Sequence, residues 1–365
     1  MLLTLLPGVA RGQAESQVWN LSLRLQESWH SNPSLSATPN KSWLNRAGAG
    51  LAYSRNTERS QLQAEVDAAA AGSFNQPQGG RFSYTGALAW THQLAARTTL
   101  NVSDSLAATY SQGSPTLIDE GLVYPLVFNR TNRAGVALSQ RLSPRTTLIV
   151  NARHDWVSFD DPALVGGSQF GAGVGLGRQL GPADDVSLGY RYRRSLTQGR
   201  ENSSQDVTAG WTHRLNKTFG FNAALGASYL FSPAVNGSSW RAVGGVGVQG
   251  GWQNTTLAAR YGRSVSQAFG YGFDRVADVF SLSWSRRLGR RLNASVAAAA
   301  GLNRDALDPD VKFVSQSYGV GLQHRTARRL SLSGGYSFSY SEPPGQVAHA
   351  SHAVYLAASY GWQWR

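Results

Sequence analysis

Along residues 352–364 every second position from Val354 on is apolar without a break. Val354, Leu356, Ala358, Tyr360, Trp362 and Trp364 fall on one side, with Ala353, Tyr355, Ala357, Ser359, Gly361 and Gln363 on the other. A period of two marks a strand, because successive side chains point to opposite faces. Length is the second constraint. Strands of globular proteins average about 5–6 residues, whereas a tilted strand crossing a bilayer needs about 9–11, with Trp and Tyr where the headgroups begin. This stretch is long enough to cross, and its greasy side ends in aromatics.

The same pattern runs through the chain. Trp19, Leu21, Leu23 and Leu25 alternate with Asn20, Ser22, Arg24 and Gln26, and Leu62, Ala64, Val66 and Ala68 with Gln61, Gln63, Glu65 and Asp67. Composition fits apolar character dispersed in this way: 41% of residues are hydrophobic, mean hydropathy is −0.29, and no apolar run reaches the about 18 residues of a spanning helix. The absence of cysteine excludes a disulfide framework and a lipidated N-terminal cysteine. A net charge of +13 would point to nucleic acid in a soluble protein. No recognition helix, RNA-binding sheet motif or zinc spacing accompanies it, so no nucleic-acid partner is expected.

An internal repeat sets the strand count. Trp90-Thr91-His92-Gln93-Leu94 recurs as Trp211-Thr212-His213-Arg214-Leu215 and more loosely as Trp284-Ser285-Arg286-Arg287-Leu288, each before a short turn. Successive short turns usually lie about 35–39 residues apart, which fits two membrane-length strands and one longer loop. Turns near positions 57, 95, 143, 181, 216, 253, 289 and 327 predict an all-β fold, a transmembrane antiparallel up-and-down barrel of 18 strands, with 16 as the alternative. An even count puts both termini at one end and lets the first strand close on the last, leaving no open edge in lipid. Trp19, Trp90, Trp211, Trp284, Trp362 and Trp364 then form an aromatic girdle at the turn end, and Trp43, Phe82, Trp156 and Trp240 fall at the loop end. Asp104 and, to a lesser degree, His154 resist the scheme: strict alternation would turn them toward lipid, so a bulge there or a different strand assignment is expected.

With this pattern, the last strand resembles the closing strand of bacterial outer-membrane β-barrels, whose terminal aromatic is read by the barrel-assembly machinery. Arg365 after Trp364 departs slightly from that ending. The resemblance covers nearly the whole chain. It implies a Gram-negative outer-membrane location, membrane lipid as surroundings and the assembly machinery as a biogenesis partner. Met1 to Ala10 fits the apolar core of an export signal, with Gly12-Gln13-Ala14 as a small-x-small cleavage site. Residues 1–14 are therefore expected to be a signal peptide and residues 15–365 the barrel. The usual basic start is missing, so Met1 is expected to lie inside a longer signal.

Motifs for chemistry are scarce. Neither metal-ligand spacing nor a nucleophile elbow is present, and no catalytic residue, metal or cofactor is expected. Gly245-Val246-Gly247-Val248-Gln249-Gly250 matches a dinucleotide fingerprint, but its flanks keep period two and no helix follows. His92, His213 and His324 recur beside turns, as interfacial residues would. The polar face says more. Arg24, Arg153, Arg191, Arg193 and Arg260 are expected to line the lumen near mid-depth, opposed by few acids, chiefly Glu65, Asp67 and Asp155. Such a belt would favour anions. The longest loop, about residues 111–130, contains Asp119, Glu120 and Tyr124. It is similar in position to the inward-folding third loop of general porins, which makes these three candidate constriction residues.

The expected function is a porin-like transport channel for hydrophilic, anionic solutes. The alternative is a conduit similar to the stand-alone porins of exopolysaccharide (polysaccharide export) systems, working with a periplasmic export protein. A barrel enzyme and an occluded structural or adhesive barrel rank below both.

Overall fold

The computed structural model describes residues 16–35, 39–73, 81–111, 123, 125–197, 200–233, 237–308, 310–342 and 347–364. They form β1 (Ser16–His30), β2 (Ser42–Asn56), β3 (Ser60–Ser73), β4 (Arg81–Ala95), β5 (Thr98–Tyr110), β6 (Phe128–Ser143), β7 (Thr146–Phe159), β8 (Gly167–Gln179), β9 (Asp184–Thr197), β10 (Arg200–Arg214), β11 (Phe219–Ser232), β12 (Gly237–Trp252), β13 (Thr255–Ala268), β14 (Phe273–Arg287), β15 (Leu292–Asp305), β16 (Lys312–Arg325), β17 (Leu330–Glu342) and β18 (His349–Trp364). Each strand pairs antiparallel with its sequence neighbours, and β1 pairs with β18 from Trp19↔Trp364 to His30↔Ala353. The sheet closes, so no edge is left to seek a partner. The proposed signal segment lies outside the described residues.

Alternation decides which face meets what. Leu225 is 74% exposed and Trp240 and Leu356 69%, so the large apolar side chains of the wall point away from the barrel axis. In water such a surface would aggregate; around a closed barrel it is the surface a bilayer solvates. Strands of 13–16 residues, at about 3.3 Å per residue and tilted by about 40°, cover the about 25 Å apolar band with residues to spare. Turns at the short-connection end are made by local chemistry. In the β10–β11 turn, Asn216 Oδ1 accepts from the backbone N–H groups of Thr218 at 2.8 Å and Phe219 at 2.9 Å. The Trp-x-His repeat sits just before these turns: His92 stacks on Trp90 at 5.4 Å, and Trp211 Nε1 and His213 Nδ1 lie 2.9 and 2.8 Å from Asp184 Oδ1.

The bulge expected at Asp104 is absent. Register runs unbroken from Thr98↔Gln140 to Tyr110↔Phe128, and the irregularity in the β4–β5 pairing lies at Gln93/Ala95, near the turn. Asp104 pairs with Leu88 and Ala134, and His154 with Ala134 and Phe170, so both keep the exterior face that alternation assigns them. Ladder hydrogen bonds outweigh the cost of one outward carboxylate, which is below the about 2–4 kcal/mol of a midplane Arg or Lys.

At the loop end the wall splits. Pairing of β12 with β13 stops at Gly244↔Arg263, while β13 and β14 stay paired up to Ala268↔Phe273. Gly244, at φ +157°, permits this departure, since a Cβ there would stand 2.4 Å from the Ala224 carbonyl oxygen. Above the split the hairpin leans into the barrel. Val265 and Val276 pack against the interior residues Leu230 and Val243 and against Ala306. Gly270 at its tip pairs with Val165 in the β7–β8 connection, and Tyr271 stacks on Phe313 at 4.9 Å beside Phe273. Buried apolar clusters among the described residues thus sit at this mouth, and the hairpin crosses it.

Candidate functional site: the barrel interior

Interior positions along each strand carry Ser, Thr, Gly and most wall arginines. Arg24 of β1 faces Gly48 and Ser359. Beside it lie Arg46, which the sequence reading missed, and the carboxylates Glu65 and Asp67. Gly50 makes room here: any Cβ would collide with the Asp67 carboxylate. Arg260 of β13 faces Gly247 and Ser281 and makes no ion pair among the described residues.

The densest group spans β6 to β10. Asp155 accepts from Arg133 Nε at 2.7 Å and lies 2.7 Å from Arg153 Nε. Arg193 pairs with Asp206 at 2.7 Å, and Arg191, without an ion pair among the described residues, feels Arg193, Asp206 and Arg153. Asp206 was missed in the sequence, although hairpin register places it opposite Arg191. Between these banks runs β8, whose interior positions are Gly171, Gly173, Gly175 and Gly177. Arg153 faces Gly171 from one side and Arg193 from the other; Asn151 and Arg191 flank Gly173 likewise. The result is a groove one strand wide, floored by backbone and walled by guanidiniums about 10 Å apart at their Cα atoms. Leucine at Gly171 would fit the fold, since a Cβ meets only Arg193 Cγ at 3.5 Å and Tyr192 O at 3.7 Å. Gly171→Leu is expected to leave the barrel intact by heat-modifiable gel mobility while cutting chloride conductance to roughly half in planar bilayers.

Above the groove stands the inward hairpin. Asp274 near its tip is buried, hydrogen-bonded to Asn202 and close to Arg193. A cavity of about 570 Å³ opens beside it, lined by Arg200, Asn202, Arg241, Asp274, Asp305 and Asp308 among others. The expected constriction residues Asp119, Glu120 and Tyr124 lie outside the described residues. The described element that narrows the mouth is the β13–β14 hairpin, which sequence reasoning treated as an ordinary outer loop. Phe269, Tyr271 and Phe273 in a loop, followed by apolar residues on both faces of β14 at Val276 and Ala277, were the available signal.

Among the described residues no cluster of three His, Cys, Asp or Glu side chains could hold a metal. No family model matches the chain, and no curated protein does. Solved structures do match, over the whole barrel. OccAB2 of Acinetobacter baumannii superimposes with TM-score 0.54 at 11% identity, covering 96% of this chain and 98% of that one. OccK7 (OpdD) of Pseudomonas aeruginosa gives 0.54 at 10% identity, covering 96% and 100%, and OpdK of the same organism, described as an outer membrane protein, 0.51 at 12%, covering 96% and 99%. The chain has the fold of these outer-membrane barrels. At these identities the likeness concerns the fold, and the interior must argue for itself.

Proposed function

We propose that this chain is an outer-membrane porin-like channel that passes small anionic solutes through an arginine-bearing lumen. The observation that carries the reading is the glycine-floored groove with Arg153 on one side and Arg191 and Arg193 on the other. In a narrow, low-dielectric wall, guanidiniums concentrate anions, and a backbone floor leaves them room to move between donors. Arg24 and Arg260 extend positive charge to other parts of the circumference.

The turn end, periplasmic in barrels of this architecture, supports the same reading. The neighbouring β14–β15 and β16–β17 turns carry Arg286, Arg287, Arg290, Arg291, Arg325, Arg328 and Arg329 with no carboxylate. They touch, with Arg325 N–H donating to Arg291 O at 2.8 Å, and none of these arginines joins an ion pair among the described residues. Such a rim raises the local anion concentration at one mouth within the about 8 Å Debye length of physiological salt. Polymer export fits less well, because a hairpin crosses the other mouth and Tyr355 is the aromatic we can assign to the interior wall for sugar stacking. A channel that needs no periplasmic partner is the simpler reading.

Reversal potentials across planar bilayers under a KCl gradient test it. Chloride should permeate better than potassium, and more so at low salt. Equal or cation-favouring permeability removes the anion reading, and absence of conductance removes the channel.

A further inference from the structure

Hydrocarbon gives a polar side chain neither water nor a partner. A barrel wall that carries ionisable groups at mid-strand on its exterior therefore has something other than acyl chains against it. The exterior of β5–β7 is such a place. Across it one row of paired residues reads Leu88, Asp104, Ala134, His154, Phe170. An acid and a base thus flank a single methyl group. Asn132 Nδ2 donates to Asp104 Oδ1 at 2.9 Å, which adds a third polar group to the patch. His154 is exposed, and its ring makes no hydrogen bond among the described residues. Exterior neighbours mix small and large: Gly86, Ala134, Ala152 and Ala172 leave gaps between Leu106, Val136, Trp156 and Phe170 into which a second wall can pack.

Several other polar groups on the exterior are satisfied within the chain, and Glu27, without an ion pair among the described residues, lies three residues from the loop end of β1. Tyr261 Oη donates to Asp278 Oδ1 at 2.7 Å, Tyr336 Oη lies 2.6 Å from His352 Nδ1, and Arg194 pairs with Glu201 at 2.7 Å. The imidazole of His154 has no such answer, and the Asp104 carboxylate meets an amide but no cation.

We infer that the exterior of β5–β7 is the contact between two copies of this chain, with Asp104 of each copy against His154 of the other. Two barrels inserted in the same sense are related by an axis along the membrane normal, and a two-fold contact is isologous. With Ala134 near that axis, the residues on its two sides exchange partners reciprocally, so one acid and one base on a single patch complete two charge-assisted hydrogen bonds. Acyl chains offer neither group a partner, and a lipid headgroup does not reach the middle of a spanning strand.

The chain has no cysteine, so one introduced thiol is the sole site of disulfide cross-linking. Full-length protein reconstituted in phospholipid vesicles should cross-link as a dimer under copper phenanthroline when it carries Ala134→Cys. Ala298→Cys should not, because it lies on the exterior of β15, nine strands away. Light scattering in mild detergent should give twice the 39.3 kDa chain mass. The double variant Asp104→Leu/His154→Leu should remain folded, with unchanged heat-modifiable mobility, since leucine suits a lipid-facing wall, yet run as a monomer and lose the Ala134→Cys cross-link. A monomeric wild type, equal cross-linking at both positions, a double variant that stays dimeric, or cross-links solely to a different protein would each overturn the inference. None of these readouts depends on what the channel passes.

Discussion

Replacing residues 266–275 by a two-residue Asn-Gly turn is expected to raise single-channel conductance on the order of three-fold. The last retained pair, Val265↔Val276, lies two residues above the point where β12 and β13 part; the cut takes the terminal Arg275↔Asp305 pair with β15 and leaves the wall below it paired. What is lost is the segment that spans the mouth, with its bridge to Val165 and its Tyr271–Phe313 stack. An 18-stranded barrel is too wide for its own side chains to fill, so whatever narrows it must be an inserted element. A milder version isolates the staple: Tyr271→Ala removes a stacking contact of about 0.5–1.5 kcal/mol. It should convert a steady current into one that flickers between two levels. Unchanged conductance in both variants would show that the narrowest point lies elsewhere along the axis.

Selectivity should move in opposite directions when opposite charges are altered on the interior face. Arg191→Glu with Arg260→Glu is expected to shift the chloride-to-potassium permeability ratio toward potassium on the order of ten-fold. Neither side chain is held in an ion pair among the described residues, so the change falls on mobile ions rather than on the wall. Asp155→Asn should do the reverse. Asp155 pairs with both Arg133 and Arg153 at 2.7 Å each, offsetting one of their two charges, and its amide would leave both charges to the lumen. Reversal potentials measured at low salt, where screening is weakest, distinguish the two signs. Movement of both variants in the same direction would mean that selectivity is set at the rim.

The barrel was legible because its governing rule is local. Period-two alternation and recurrent turns, repeated along the chain, yield strand number, closure and the sidedness of Arg153 and Arg191 without any knowledge of packing. The inward hairpin was not, because what holds it is distant. Val265 and Val276 sit on the exterior face by parity and are buried because β13 parts from β12 and swings inward with β14, which stays paired to β15, laying that face on Leu230 and Val243. Asp206 lay between these cases: pairing Arg191 with its hairpin partner would have found it. Asp104 shows the rule applied with too little trust. A bulge was invoked to rescue a carboxylate that the strand simply keeps outside.

Closure of the sheet by its first and last strands has a consequence for how the molecule comes into being. Trp19 and Trp364 are partners although nearly the entire polypeptide separates them. No intermediate made by adding hairpins in order can therefore be free of raw edges, however many it has completed, until the final segment arrives. A chain stopped before β18 would lose far more than one eighteenth of its structure: it would present two unpaired rims to any neighbour and be a substrate for quality control.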